Sequence, residues 1–371
     1  MFCRFFCQKT DFRLILCLSR VIFRYLCGMI TDFSRTLLAW YRDFGRALPW
    51  RGTQDAYAIW LSEVILQQTR IAQGEAYWHR FMERFPTVEL LAAASEDEVL
   101  RLWQGLGYYS RARNLHAAAR QIVALGRFPD TLDGIRSLKG VGDYTAAAIA
   151  SFAFGRDAAA VDGNVYRVLA RHFGIPTPIN TTEGKREFTA LATELLPRGR
   201  AGEFNQAMMD FGAIQCTPQA PRCAVCPLAE TCAALRSGSV EALPVKLRRT
   251  KVQERRLVYI YIRCKGETAI RRRPAGDIWQ GLWEPVDGEE IEKLKNEEMR
   301  KLKEKAMLLA HGVKHVLTHR LLLADFYFAE VTEKPSLPEG YIWIPEAALD
   351  DYAKPRLIEK LLLQLPQSIN P

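Results

Sequence analysis

From about Asp32 to Arg236 the apolar residues return every three or four positions, the period that lays one apolar face along a helix. Ala56–Ala72, Glu75–Phe85, Glu96–Trp103, Arg111–Leu125 and Gly163–Phe173 carry this spacing most clearly. Glycine and proline mark the breaks, at Gly126-Arg127-Phe128-Pro129, Gly140-Val141-Gly142, Gly155 and Gly174-Ile175-Pro176. The pattern predicts an all-α domain over residues 29–235. A polar, basic stretch follows, and residues 236–255 read as a linker. Beyond it Leu257–Ile262, Leu321–Val331 and Tyr341–Ile344 are rich in β-branched and aromatic residues and predict strands. With the heavily charged helix expected at Glu289–Lys305, residues 256–366 make a smaller α+β domain.

Residues 1–28 stand apart, with four cysteines, five basic residues and the single acid Asp11. They read as translated sequence upstream of a start at Met29, or as an Arg-rich transit peptide, and in either case as disordered and outside the fold. The 371 residues suffice for two cores. A composition 49% hydrophobic and 25% charged is that of a globular protein, and a net charge of +9 points to a polyanionic partner. No apolar run reaches the roughly 18 residues of a membrane span, so no membrane partner is expected.

Of nine cysteines, Cys216, Cys223, Cys226 and Cys232 crowd into one C-x6-C-x2-C-x5-C loop. Four thiolates on a compact loop suit a [4Fe–4S] cluster or a structural zinc, in a reducing compartment. The spacing resembles the cluster loop of the endonuclease III superfamily of DNA glycosylases, and the resemblance implies one [4Fe–4S] cluster per chain. Upstream, Leu138-Lys139-Gly140-Val141-Gly142 joins two helices, and two glycines before a helix N-terminus let a phosphate approach free N–H groups. It resembles the superfamily's helix-hairpin-helix, which implies that Gly140 and Gly142 contact the DNA backbone. Lys139 stands where that family commonly has proline.

Two carboxylates have opposite surroundings. Glu63 lies among Ile59, Trp60 and Leu66 at helical spacing, so its pKa should rise and it should keep a proton near neutrality. Asp162 directly precedes the helical pattern Gly163–Phe173, where N–H donors keep a carboxylate ionised. One retained proton and one retained charge are what cleavage at a sugar anomeric carbon requires, because the transition state resembles an oxocarbenium ion.

Leu61-Ser-Glu-Val-Ile-Leu-Gln-Gln-Thr69, Gly105-Leu-Gly-Tyr-Tyr-Ser-Arg-Ala-Arg-Asn114, Asp162-Gly-Asn164 and Phe204-Asn-Gln-Ala-Met-Met-Asp-Phe-Gly212 resemble the MutY-type adenine DNA glycosylases, over roughly residues 35–360. The resemblance implies that Glu63 protonates adenine N7 and that Asp162 stabilises the cation, with Asn164 and Tyr144 in support. Arg46, Trp50 and Arg51 would line the adenine pocket with Glu203 opposite, and Gln68 and Tyr108 would wedge into the duplex as the base flips. Lyase relatives place a Schiff-base lysine two residues after the second hairpin glycine; Tyr144 stands there and cannot form an imine, so base release without strand cleavage is expected.

The second domain resembles the Nudix-like domain of these enzymes, without the glutamate-rich box that hydrolysis needs. His315-Val-Leu317-Thr318-His319 matches the loop that reads oxidised guanine, usually Phe-Ser-His, so Thr318 and His319 would bond the lesion while Leu317 stacks less well. Arg271-Arg272-Arg273 adds phosphate contacts or plain surface charge. The expected partner is double-stranded DNA with adenine opposite 8-oxoguanine or guanine, and the expected enzyme a cytoplasmic bacterial monomer at the nucleoid. An endonuclease III-like glycosylase for oxidised pyrimidines and a non-catalytic Fe–S DNA-binding protein are the alternatives.

Overall fold

The computed structural model describes residues 32–247, 253–289, 301–302, 304–317 and 319–366. The 1–28 leader, Thr318, part of the linker and most of Glu289–Lys305 lie outside the described residues. The helical region runs through α1 (32–44), α2 (Ala56–Leu66), α3 (Ile71–Arg84), α4 (Val88–Ala93), α5 (Glu96–Leu102), α6 (Ser110–Ala124), α7 (Leu132–Arg136), α8 (Asp143–Phe154), α9 (Gly163–Phe173), α10 (Thr182–Leu195), α11 (Ala201–Asp210) and α12 (Ala233–Ser237). The starts of α4, α5, α7 and α10 are set by side chains: Thr87, Ser95, Thr131 and Thr181 each accept the N–H three residues on. Gly155 and Gly174 end α8 and α9 in the left-handed region, at φ of 61° and 69°.

Compact units do not follow chain order. One gathers residues up to Glu63 with Phe128–Leu247; the other gathers Val64–Arg127 with the chain from Arg248. The boundary falls inside α2. In the first unit Leu37, Ala148, Leu169, Phe188 and Phe204 are packed into one apolar core with almost no exposure.

The second unit holds α3 to α6 and a mixed sheet of β1 (Gln253–Cys264), β2 (Glu267–Arg272), β3 (Trp283–Glu284), β4 (Val286–Asp287), β5 (Met307–Val316), β6 (Arg320–Val331) and β7 (Tyr341–Pro345), followed by α13 (Arg356–Leu362). The main order is β3-β2-β1-β6-β5, with β4 on β1 and β7 on β2. Strands β1 and β6 run parallel in unbroken register from Gln253↔Arg320 to Cys264↔Val331. Alternation divides β1 between two cores: Leu257, Tyr259 and Tyr261 pack with α13, while Ile260 and Ile262 pack with Ala269 and Val286 on the other face.

Within this unit the helices meet the sheet through polar contacts. Arg113 donates to Gln280 O at 2.6 Å, Gln104 Nε2 to Glu359 at 2.5 Å, and Arg272 to Glu96 at 3.0 Å. Of the basic run, only Arg272 keeps the expected character of surface charge. Arg271 pairs with Glu284 and Asp287, Arg272 with Glu96, and the buried Arg273 with Glu284 and Asp277. Arg271 and Arg273 are held inside the unit by acids 4 to 16 positions further along the chain, whereas Arg272 stays exposed and reaches the distant Glu96. No helix among the described residues is long and apolar enough to cross a membrane.

Candidate active site

Helix α2 is apolar on nearly every face: Ile59, Trp60, Leu61, Val64 and Ile65 are each at most 5% exposed. Glu63 sits among them at 8%. Its burial pushes the carboxyl pKa up to about 7, and the nearby charge of Asp162 adds to the rise. A hydrogen bond from Tyr144 and the charge of Arg51 pull the other way. Tyr144 stands in the first turn of α8, with its hydroxyl also 3.6 Å from Met209 Sδ. Near neutrality Glu63 is thus a buried acid that both holds and releases a proton.

Asp162 caps α9. Its Oδ1 accepts from Asn164 N at 2.9 Å and Val165 N at 2.8 Å, and its Oδ2 from Asn164 Nδ2 at 2.7 Å. Arg167 in turn donates to Asn164 Oδ1 at 2.8 Å, fixing the amide. Burial nonetheless outweighs these donors, and the Asp162 pKa lies above its ordinary value. The N-terminal donors expected from sequence are present, and burial, which local spacing does not register, acts against them. Both oxygens still face only N–H donors, the partners of a carboxylate.

Asp210, at the end of α11, was not singled out from sequence. Its side chain is fully buried and receives Arg46 N and Nε at 2.8 Å each and both Arg51 nitrogens at 2.7 and 2.8 Å. Despite burial, these guanidinia hold the Asp210 carboxyl below its usual range. Arg46 and Arg51 are therefore anchored rather than loose, and Trp50 between them is only 6% exposed. Glu203 is bonded to Arg200 at 2.7 Å. The available signal was a lone acid in the apolar run Met208-Met209-Asp210-Phe211, with a cationic partner implied.

In the other unit, Gln68 and Tyr108 occupy turns with φ of 56° and 47°, a region that non-glycine residues enter at a cost. Gln68 is exposed, and the Tyr108 ring is 47% exposed. Leu317 and the exposed His319 lie in a turn between β5 and β6, where Leu317 N donates to Arg320 O at 2.8 Å.

Between α7 and α8, Gly140 takes φ 78°. Gly142 has an ordinary backbone, and a Cβ there would meet nothing within 4 Å. The fold does not require glycine at 142, and the space beside it is open.

The four loop cysteines are partly buried. Burial raises the Cys226 thiol to about 11, and the other three thiols push it the same way, so all four lie within electrostatic reach of one another. Arg171 NH1 is 3.4 Å from Cys216 Sγ and bonds Thr217 O at 2.7 Å, tying the start of the loop to α9. Among the described residues no three cysteine, histidine or carboxylate side chains converge tightly enough to hold one metal ion.

Residues 61–197 match the model of the HhH-GPD superfamily of base excision DNA repair proteins, and residues 258–364 match that of the NUDIX domain. The chain is 43% identical over 235 residues to the human adenine DNA glycosylase, a match covering 58% of this chain and 43% of that one. Against the adenine DNA glycosylase of Buchnera aphidicola from Schizaphis graminum it is 33% identical over 254 residues, covering 68% of this chain and 73% of the other. The matched region thus spans less than half the length of the human relative. Among solved structures, a thermostable thymine-DNA glycosylase aligns with a TM-score of 0.54 at 31% identity, over 57% of this chain and 99% of its own. Endonuclease III in a trapped covalent complex with DNA aligns at 0.50 and 23% identity over 57% of this chain, a likeness of fold.

Proposed function

Because the chain belongs to the adenine DNA glycosylase family, we propose that it hydrolyses the N-glycosidic bond of adenine mispaired with 8-oxoguanine, and with guanine, in double-stranded DNA. The observation that carries this reading is a buried acid titrating at about 7 beside a carboxylate wrapped in N–H donors. Glu63 gives its proton to adenine N7. The C1′–N9 bond breaks with its electron pair on the base, and positive charge spreads over C1′ and O4′ of the sugar. Asp162 stabilises that cation electrostatically. Water then adds to C1′ and returns a proton to Glu63.

Asn164 and Tyr144 hold the two carboxyls in place, and the Asp210 anchor presents Arg46, Trp50 and Arg51 to the base. Gln68 and Tyr108 fill the gap that flipping leaves. Thr318 and His319 read the oxidised guanine, while Gly140 and Gly142 bring a phosphate to the start of α8. Tyr144 offers no amine, so strand cleavage does not accompany base release.

Cys216, Cys223, Cys226 and Cys232 hold a [4Fe–4S] cluster in this reading, since four partly buried thiols on one loop, within electrostatic reach of one another, are the donor set it takes. When bound, the cluster supplies a rigid brace for the loop and no acid–base step. The enzyme acts as a cytoplasmic monomer in this reading.

The test is release of adenine from duplexes pairing it with 8-oxoguanine, guanine, thymine and cytosine. Glu63→Gln is expected to abolish release while the protein still binds the 8-oxoguanine duplex, and the unmodified chain should leave the strand intact until alkali is added. Full activity in the glutamine variant would overturn the assignment.

A further inference from the structure

Arg111, in the first turn of α6, is 8% exposed and pairs with no carboxylate among the described residues. Its NH1 donates to Val64 O at 3.1 Å, Ile65 O at 2.8 Å and Gln67 O at 2.6 Å. Its NH2 donates to Leu106 O at 3.4 Å and Gly107 O at 3.3 Å, and both nitrogens lie 3.3 Å from Thr69 Oγ1. These acceptors fall in two groups. The first closes the C-terminal end of α2 and leads into Gln68; the second immediately precedes Tyr108. One guanidinium therefore spans the two turns whose central residues hold left-handed backbone, at φ of 56° and 47°. It also lies 5.7 Å from the centroid of the exposed Tyr108 ring and 5.0 Å from that of Trp103.

A buried cation is costly to desolvate, and a core role alone would be served by an apolar side chain. What a planar fork supplies, and neither lysine nor leucine can, is a fixed geometry between carbonyls on two separate segments. We propose that Arg111 is a positioning residue that clamps the Gln68 and Tyr108 turns together, so that both wedge side chains are set before DNA arrives. The clamp converts what would be loop ordering during base extrusion into order already present in the free protein. It rests on the reading of Gln68 and Tyr108 as the wedge.

The test uses a duplex with adenine opposite 8-oxoguanine and 2-aminopurine as the neighbouring base, whose fluorescence rises when the stack opens. Arg111→Lys keeps the charge and removes the fork. It is expected to lower single-turnover adenine release about tenfold and to lose most of the fluorescence rise at saturating protein. The pH dependence of release, set by Glu63, should stay as in the unmodified chain. Thr69→Val removes one shared acceptor and should show the same two losses at about threefold. If the lysine variant does not fold, the valine variant carries the test alone. An unchanged fluorescence rise in a folded variant overturns the clamp, and so does a loss of release with the rise intact. Tyr108→Ala and Gln68→Ala test the wedge separately. If those two keep the full rise, the wedge reading fails whatever Arg111 does. If they lose it and both clamp variants keep it, only the clamp fails.

Discussion

A carboxyl that titrates near pH 7 in the fold and near 4.5 outside it binds more protons folded than unfolded across that window. Glu63 therefore costs the fold nothing below about pH 4.5 and progressively more as pH rises to 7, by roughly 3 kcal/mol in full. Glu63→Gln removes this cost. Melts of the two proteins should coincide near pH 4 and separate by pH 8, with the variant the more stable. Catalysis has the same origin: kcat/KM should fall as pH rises through about 7, because only protonated Glu63 can donate. A flat profile from pH 6 to 9 would remove Glu63 as the acid. Asp210 makes a different prediction. Asp210→Asn leaves the Arg46 and Arg51 charges without their buried counter-ion, and denaturant titration should show a loss of about 3–5 kcal/mol. Glu63 was legible from sequence because its apolar neighbours are its helical neighbours. Asp210 was not, because its partners lie 159 and 164 positions away.

At the scale of elements, period decides what could be foreseen. Helices such as α6 and α9 place their apolar residues at regular turns, so their existence follows from spacing alone. Strand β1 was visible at Leu257–Ile262 but extends to Gln253–Cys264, because pairing with β6 recruits charged residues at its start. Strand β5 escaped notice. None of its residues is buried, and two register shifts between Leu308 and Val313 break the alternation that marks a strand. The turn before α8 was readable from two glycines, and only Gly140 owes its identity to backbone conformation. Gly142→Ala should leave the thermal midpoint unchanged, because its Cβ meets nothing, and weaken duplex binding about threefold to tenfold if the proposed phosphate contact is made there. Equal affinity for the two proteins, measured by titration of one labelled duplex, would remove the hairpin from the DNA interface.

For the whole molecule, chain order foretold two domains in succession, and residues 61–197 and 258–364 match two family models in that order; the compact units of the structure group the chain differently and interleave along it. Helical periodicity cannot reveal this, because it says nothing about which helices share a core. The cysteine loop belongs to the first unit, so its occupant is expected to matter for that unit's stability. Elemental analysis of the purified chain should give on the order of four irons and four sulfides, with Cys226→Ser losing them and melting earlier. One zinc per chain would replace the cluster with a mononuclear site.

The polar seam within the second unit bears on how a shortened chain must be interpreted. Ending the protein at Leu247 would strip Gln104 of Glu359 and Arg113 of the Gln280 carbonyl, in the stretch that flanks Tyr108. Under the proposed reading, a truncated chain that failed to tell 8-oxoguanine from guanine would have lost Thr318 and His319 and, with them, the contacts that hold the stretch around Tyr108. Point changes at the seam, such as Gln104→Ala in the intact chain, separate those two injuries.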